Sequence, residues 1–191
     1  MSADRLHVAA TALLTRWSAP DDEQEHLREV LLAHLDAHPD AMWRSCRDGH
    51  LTGSALVVDH GWERVLFTRH PRLGRWVQMG GHCEPGDLTM AEVAHREATE
   101  ESGITGLVLH SGPVDIDIHA FDCPKGHPNR HLDVRFVVVA PEGAREVISD
   151  ESLELGWFPL DDPRAELDAS THRLVQRAMD LRPAAEPGGI R

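Results

Sequence analysis

Arg96, Glu97, Glu100 and Glu101 fall within two turns of one predicted helix, and a glycine-rich stretch from Gly80 to Gly86 leads into it. Three glutamates this close repel one another, and they sit at the helix end where the macrodipole disfavours negative charge. A cation among them removes both costs. At about 100° per residue with Glu97 as zero, Glu100 and Glu101 lie within about 60° on either side. Met90, Val93 and Ala94 share that sector one or two turns earlier. One stripe therefore begins apolar, facing a sheet, and ends in carboxylates that continue along the same inner face. Clustered, partly buried carboxylates take up protons or bind cations. An all-oxygen donor set selects hard ions such as Mg²⁺ or Mn²⁺, which also bind phosphate oxygens. The glycines let backbone carbonyls and amides come close to metal or ligand. Together these features point to metal-assisted attack of water on phosphorus. A solvated acidic helix end is the plainer reading of any single Glu-Glu pair. The shared sector, the unfavourable helix end and the glycine stretch together argue against it here.

Several elements must position this helix. Residues 1–50 read as helical, with Leu6, Ala10, Leu13 and Trp17 at helical spacing. A second helix begins near Asp21, carries Leu27, Val30, Leu31 and Leu35 on one face, and ends at His38-Pro39. A short helical piece is expected over Asp40 to Arg47. The pattern changes at His50: Leu51 to Asp59 and Arg64 to Arg69 read as strands joined by a turn at His60-Gly61, with a third over Trp76 to Met79. The glycine loop follows, then a helix from Thr89 to Ser102. Thr89 and Glu92 have capping-box spacing, and Gly103 suits the C-cap. Later strands are expected at Leu107 to His110, Asp115 to Phe121, His131 to Ala140 and Glu154 to Phe158, with a last helix over Ser170 to Leu181. This order predicts an α+β fold in three parts: a helical extension (1–50), a mixed domain (51–181) and a tail (182–191).

The 191 residues suffice for one core, and the 41% hydrophobic content is that of a soluble globular domain. No apolar run approaches the roughly 20 residues of a membrane helix, and no signal peptide is evident. Cys46, Cys83 and Cys123 are odd in number and lack paired spacing, which fits free thiols in a reducing cytoplasm. A net charge of −13 argues against nucleic-acid polymers and anionic membranes as partners. It does not argue against a small phosphorylated substrate, because local cations reverse the field at a site.

The residues quoted above resemble the signature of the Nudix hydrolase family: Gly, five residues, Glu, seven residues, then Arg-Glu-apolar-x-Glu-Glu-x-Gly-apolar. Gly81 opens the pattern, and Arg96-Glu97-Ala98-Thr99-Glu100-Glu101-Ser102-Gly103-Ile104 matches its second half throughout. The first half departs: Asp87 stands for the glutamate, and eight residues separate it from Arg96. The resemblance extends over about residues 50–160 and implies a Nudix-like αβα sandwich. It also implies a metal-dependent cleavage of nucleoside diphosphates linked to another moiety. On this resemblance Glu97 and Glu101 are the principal ligands to Mg²⁺ or Mn²⁺, Glu100 assists, the Gly81 carbonyl is a further ligand, and Arg96 orients the glutamates. A base from outside the signature is expected, with Glu151 and Glu154 as candidates. A ligand sensor on the same scaffold is the alternative, although sensors usually erode the signature. An isopentenyl diphosphate isomerase relative is disfavoured because Cys83 lies in the loop.

Two further patterns stand apart from the signature. His131, Asp133 and Arg135 alternate with Leu132, Val134 and Phe136, and Asp115, Asp117 and His119 alternate with Ile116 and Ile118. The polar faces read equally as solvent-facing strand surfaces with cross-strand pairs or as a pocket wall in which Arg135 grips a phosphate or carboxylate. His82, inside the glycine loop, is a substrate candidate together with His131, Asp133 and Arg135. Arg69, His70, Arg72 and Arg75 form the most basic stretch and can meet an anionic substrate. The first fifty residues can cap the site, form a homodimer interface or extend the core, and the sequence does not choose among these.

Overall fold

A computed structural model describes residues 2–71, 74–110, 112–122, 128–148, 153–163 and 166–184. Helices α1 (Ser2–Arg16) and α2 (Asp22–Ala37) come first. Strands β1 (His50–Val58), β2 (Arg64–Arg69), β3 (Trp76–Val77) and β4 (Met79–His82) follow. Helix α3 (Met90–Ser102) carries the acidic cluster. Strands β5 (Val108–Leu109), β6 (Asp115–Asp122), β7 (Pro128–Val139) and β8 (Leu155–Pro159) lead to helix α4 (Ala169–Asp180). Among the described residues no helix is long and apolar enough to cross a membrane.

The centre of the sheet is the parallel pair β1–β7, in register from His50↔His131 to Val58↔Val139. Over this register both strands are largely buried; one face is apolar throughout, and the other is apolar only in its second half, after His50, Thr52 and Ser54 on β1 and His131, Asp133 and Arg135 on β7. All other pairings are antiparallel. The free edge of β1 is shared: its first half pairs β4 and its last two residues pair β2. The outer edge of β7 is likewise shared by β6 and β5. The sheet therefore forks at both edges, and β4 stays beside β1 instead of extending the β2–β3 hairpin.

One face of the sheet carries Leu51, Ala55, Val57, Leu132, Val134 and Phe136 and packs against α1, α2 and α3. The other carries Leu56, Val58, Phe67 and Val137 and packs against Leu174, Val175 and Ala178 of α4. This is an αβα sandwich. Helices α1 and α2 extend the core: Leu6, Ala10, Leu14, Leu31 and Leu35 are fully or almost fully buried with the α3 residues. In α1, Leu14 rather than the expected Leu13 completes the buried stripe, and Leu13 is only partly covered.

Most elements lie where the sequence places them, with three corrections. The expected strand Trp76 to Met79 is two strands, and the second runs into the glycine stretch, so Gly80, Gly81 and His82 are β4 and not loop. Residues 40–47 form turns, not helix. The element expected over Leu107 to His110 pairs only at Val108 and Leu109. The helix ends are as read: Asp21, Thr89 and Asp168 each accept a backbone N–H at an N-cap, and Gly103 ends α3 at φ 66°.

Gln24 shows how α2 is locked on. Its side chain is fully buried; Nε2 donates to the Ile116 carbonyl at 3.0 Å, and Oε1 accepts from the Ile116 N–H at 2.6 Å. It pairs β6 as a neighbouring strand would. Gln24→Met keeps the volume, leaves the buried Ile116 N–H unpaired and leaves the Ile116 carbonyl only its bond from Arg173 at 3.2 Å, at a cost of about 1–3 kcal/mol. Urea unfolding of the variant should show a lower midpoint at unchanged slope; an unchanged midpoint would refute this reading of Gln24.

Candidate active site

Helix α3 lies so close to β1 that Gly53 is required beneath it. A Cβ at Gly53 would stand 2.9 Å from Val93 Cγ1 and 3.1 Å from the Ala94 backbone nitrogen. The same closeness recurs one strand over. A Cβ at Gly81 would stand 2.6 Å from Cδ and from both carboxylate oxygens of Glu97. The Gly80 N–H donates to Glu101 Oε2 at 3.2 Å. β4 thus presents bare backbone to the two inner glutamates.

Glu97 and Glu101 are each 9% exposed, whereas the Glu100 side chain is 59% exposed. The acidic stripe continues the apolar one for the first two but not for Glu100. The buried sector is centred on Met90, Val93 and Ala94, which places it toward Glu101, and Glu100 lies about 70° away from that centre.

Arg96 holds the cluster together. Its Nε and Nη2 donate to the two oxygens of Asp87 at 3.3 and 3.1 Å. Its Nη1 donates to Glu97 Oε1 at 3.0 Å and Glu100 Oε2 at 3.2 Å, and Nη2 also donates to the His82 carbonyl at 2.8 Å. Burial works to lower the Arg96 pKa, but Asp87 and Glu97 outweigh it and raise the value, so the guanidinium stays charged. Asp87 therefore lies in the cluster as the partner of Arg96. It also accepts the Glu84 N–H at 2.8 Å, closing a tight turn ahead of α3. Burial pushes the Cys83 thiol up to about 12, which leaves it a neutral packing group.

The other candidates divide. Asp133 and Arg135 stand on the opposite face of the sheet and are each 3% exposed. The Arg135 guanidinium meets Asp133 at 2.9 Å, Asp117 at 3.1 Å and Asp115 at 3.3 Å. Arg173 of α4 adds bonds to Asp115 and Asp117, and Ser170 Oγ accepts from Arg135 at 2.6 Å. The cross-strand pairs exist, in register Asp115↔Arg135 and Asp117↔Asp133. They are largely buried and not solvent-facing, and Ser170 and Arg173 of α4 bond to Arg135, Asp115 and Asp117. Arg135 is a buried structural cation, the usual way such a charge is kept. Asp133 also accepts from Thr52 and Ser54 at 3.0 and 2.7 Å.

Glu154 is exposed and pairs with Arg69 at 3.7 Å, while Arg75 pairs with Asp168 at 3.0 Å. Glu151 and Arg72 lie outside the described residues, as does Cys123. Cys83 is a free thiol, and Cys46 is buried.

The sequence reading missed His50. Its ring lies 5.0 Å from those of His82 and His131, which are themselves 4.9 Å apart. The pairing of β1 with β7 sets His50 beside His131, and a register between distant strands leaves no local signal. Burial, then the charge of Arg44, holds His50 down to about 4 and His82 down to about 3. Burial, then His119, holds His131 down to about 4.

A family model described as NUDIX domain matches residues 50–178. Among solved structures, a NUDIX-family hydrolase from Clostridium perfringens superposes with a TM-score of 0.53 at 21% identity, covering 70% of this chain and 98% of that one. A C. elegans Ap4A hydrolase binary complex gives 0.53 at 19%, covering 68% and 95%. The NUDIX domain of Shewanella oneidensis NrtR complexed with ADP ribose gives 0.51 at 18%, covering 72% and 90%. At these identities the likeness to solved structures is one of fold.

The histidine values carry a pH consequence. Each folded pKa lies below the ordinary 6.5, so the unfolded chain binds more protons between 6.5 and about 4. The contribution to stability is complete above about 6.5 and is lost as pH falls toward about 4. With chelator present, the Tm should drop across that window, and His131→Gln should flatten the drop. An equally steep drop in the variant would show that other groups set it.

Proposed function

The chain belongs to the NUDIX family and is a pyrophosphohydrolase acting on phosphorus-containing anhydrides, and we propose that Glu97, Glu100 and Glu101 hold the divalent ion of that reaction. The observation that carries this reading is the backbone of β4, which leaves room at Gly81 for the Glu97 carboxylate and for no side chain. The donor set is all oxygen and suits Mg²⁺ or Mn²⁺. Such an ion, when bound, neutralises charge on phosphate oxygens and makes a coordinated water more acidic.

The residues of the chain divide the remaining work. Glu97 and Glu101 are the inner ligands, the Gly81 carbonyl is a further one, and Glu100 contributes from the solvent side. Arg96 orients Glu97 and Glu100 through one nitrogen, and Asp87 fixes Arg96 by gripping two others. The proton leaving the attacking water passes to a carboxylate oxygen outside the signature, on Glu151 or Glu154. The substrate is a nucleoside diphosphate linked to another moiety. Two fold neighbours are described with Ap4A hydrolysis and with bound ADP ribose, which makes these the first compounds to try.

Turnover of such compounds with Mg²⁺ or Mn²⁺ tests the assignment. Glu97→Gln and Glu101→Gln should each lower kcat at least about a hundredfold. Gly81→Ala, which displaces the Glu97 carboxylate, should raise the metal concentration needed for half-maximal rate. Undiminished activity in Glu101→Gln would remove the metal-site assignment.

A further inference from the structure

We propose that His50, His82 and His131 form a second metal site, built for a borderline divalent ion of the Zn²⁺ class. One ring nitrogen from each lies within 4.8 Å of the other two. The three residues come from adjacent strands of the rigid sheet. His50 opens β1, His131 is its register partner on β7, and His82 ends β4 opposite Thr52. Zinc–nitrogen bonds of about 2.0–2.1 Å would draw these nitrogens closer together than they stand without an ion.

The site is separate from the glutamates. Gly81 turns its bare side to Glu97, and the next residue of β4 turns its side chain to the opposite face. The chemistry differs as well: imidazole nitrogen suits zinc, copper, nickel or iron, and not magnesium. Neutral imidazole is the form that ligates, and the strand register holds the three rings together. Three protein ligands leave one coordination position for water or an anionic ligand.

Arg44 makes this site recognisable by experiment. Its guanidinium lies 2.8 Å from His82 Nδ1 and can only donate. The lone pair of His82 is therefore on Nδ1, and the proton is on Nε2. An ion on Nδ1 takes the place of the guanidinium. An ion on Nε2 forces the proton onto Nδ1, facing a donor. By either nitrogen, metal binding breaks the Arg44 contact, so Arg44 competes with the ion.

The test is Zn²⁺ binding to the untagged full chain after chelation, by calorimetry and elemental stoichiometry, with Co²⁺ absorption as a report on nitrogen ligation. The parent should bind one Zn²⁺ at this site, and the Glu97→Gln/Glu101→Gln double variant should retain it. His82→Asn and His131→Gln should each weaken binding about a hundredfold or more. Arg44→Met should tighten it about tenfold, the effect of removing a charge-assisted hydrogen bond. Melting curves establish that each variant folds; should one histidine variant fail to fold, the other and Arg44→Met carry the result. Zinc affinity unchanged in the histidine variants, or lost in the glutamate double variant, overturns the proposal. Loss in Cys46→Ser with retention in His131→Gln would also overturn it, placing the ion at the His38–Asp40–Cys46 group. Failure here leaves the glutamate site standing, because that site is scored by turnover.

Discussion

The five hydrogen bonds of Arg96 hold two parts of the chain in one place. Three go to carboxylates on either side of it, Asp87 twice in the turn before α3 and Glu97 on the helix, with Glu100 the fourth and the His82 carbonyl of β4 the fifth. Without this guanidinium, Asp87, Glu97, Glu100 and Glu101 would oppose one another within a small, half-buried volume. With it, one positive charge still faces four negative ones. On the inner side of this cluster, Glu97 and Glu101 meet the bare backbone of β4. Desolvated carboxylates in that condition bind a cation or take up protons.

Steric contact sets where that cluster stands. Gly53 lets α3 settle on β1, Gly81 lets Glu97 reach β4, and Gly80 lies against Ser54, whose Cβ would be 2.3 Å from an added methyl. Gly53 and Gly81 thus bring strand backbone and helix together without side chains between them, and Gly80 does the same for β4 against β1. Placing the glutamates on a helix packed against a central strand, instead of on a loop, fixes their spacing to the sheet. The buried Arg135–aspartate network has a parallel role on the far side. It ties β6, β7 and α4 together and keeps the sheet that carries β4 from shifting.

The sequence made the signature helix legible because everything that defines it is local. Thr89, Glu92 and Gly103 mark its ends, and the 3.6-residue period shows its buried side. The limits of that reading are physical. A helical wheel gives sectors but not how wide the covering surface is, and so it grouped exposed Glu100 with buried Glu101. Strand alternation put His131, Asp133 and Arg135 on one face correctly, but could not show that α4, more than thirty residues later, bonds to Arg135 there. The glycine run reads as loop because glycine is rare within strands; here β1 supplies the ladder that makes it β4. His50 carries no local mark, and its neighbours follow only from the parallel register.

The departures from the family pattern are absorbed at Asp87. An aspartate side chain is one methylene shorter than a glutamate, so its backbone must come nearer to Arg96. The turn achieves this: the Asp87 N–H donates to the Glu84 carbonyl at 3.1 Å, while the Glu84 N–H donates to Asp87 Oδ2 at 2.8 Å. Asp87 is 9% exposed and still reaches two nitrogens of Arg96. Asp87 thus meets the guanidinium fork with both oxygens from the shorter side chain. Arg96 then transmits the position of that turn to His82 through its carbonyl, while the His82 ring lies on the other side of the sheet against His50 and His131. One residue of β4 is held from both faces, by oxygen chemistry on one and nitrogen chemistry on the other. A shift of β4 large enough to disturb either set would have to break the hydrogen bonds of the β1 ladder as well.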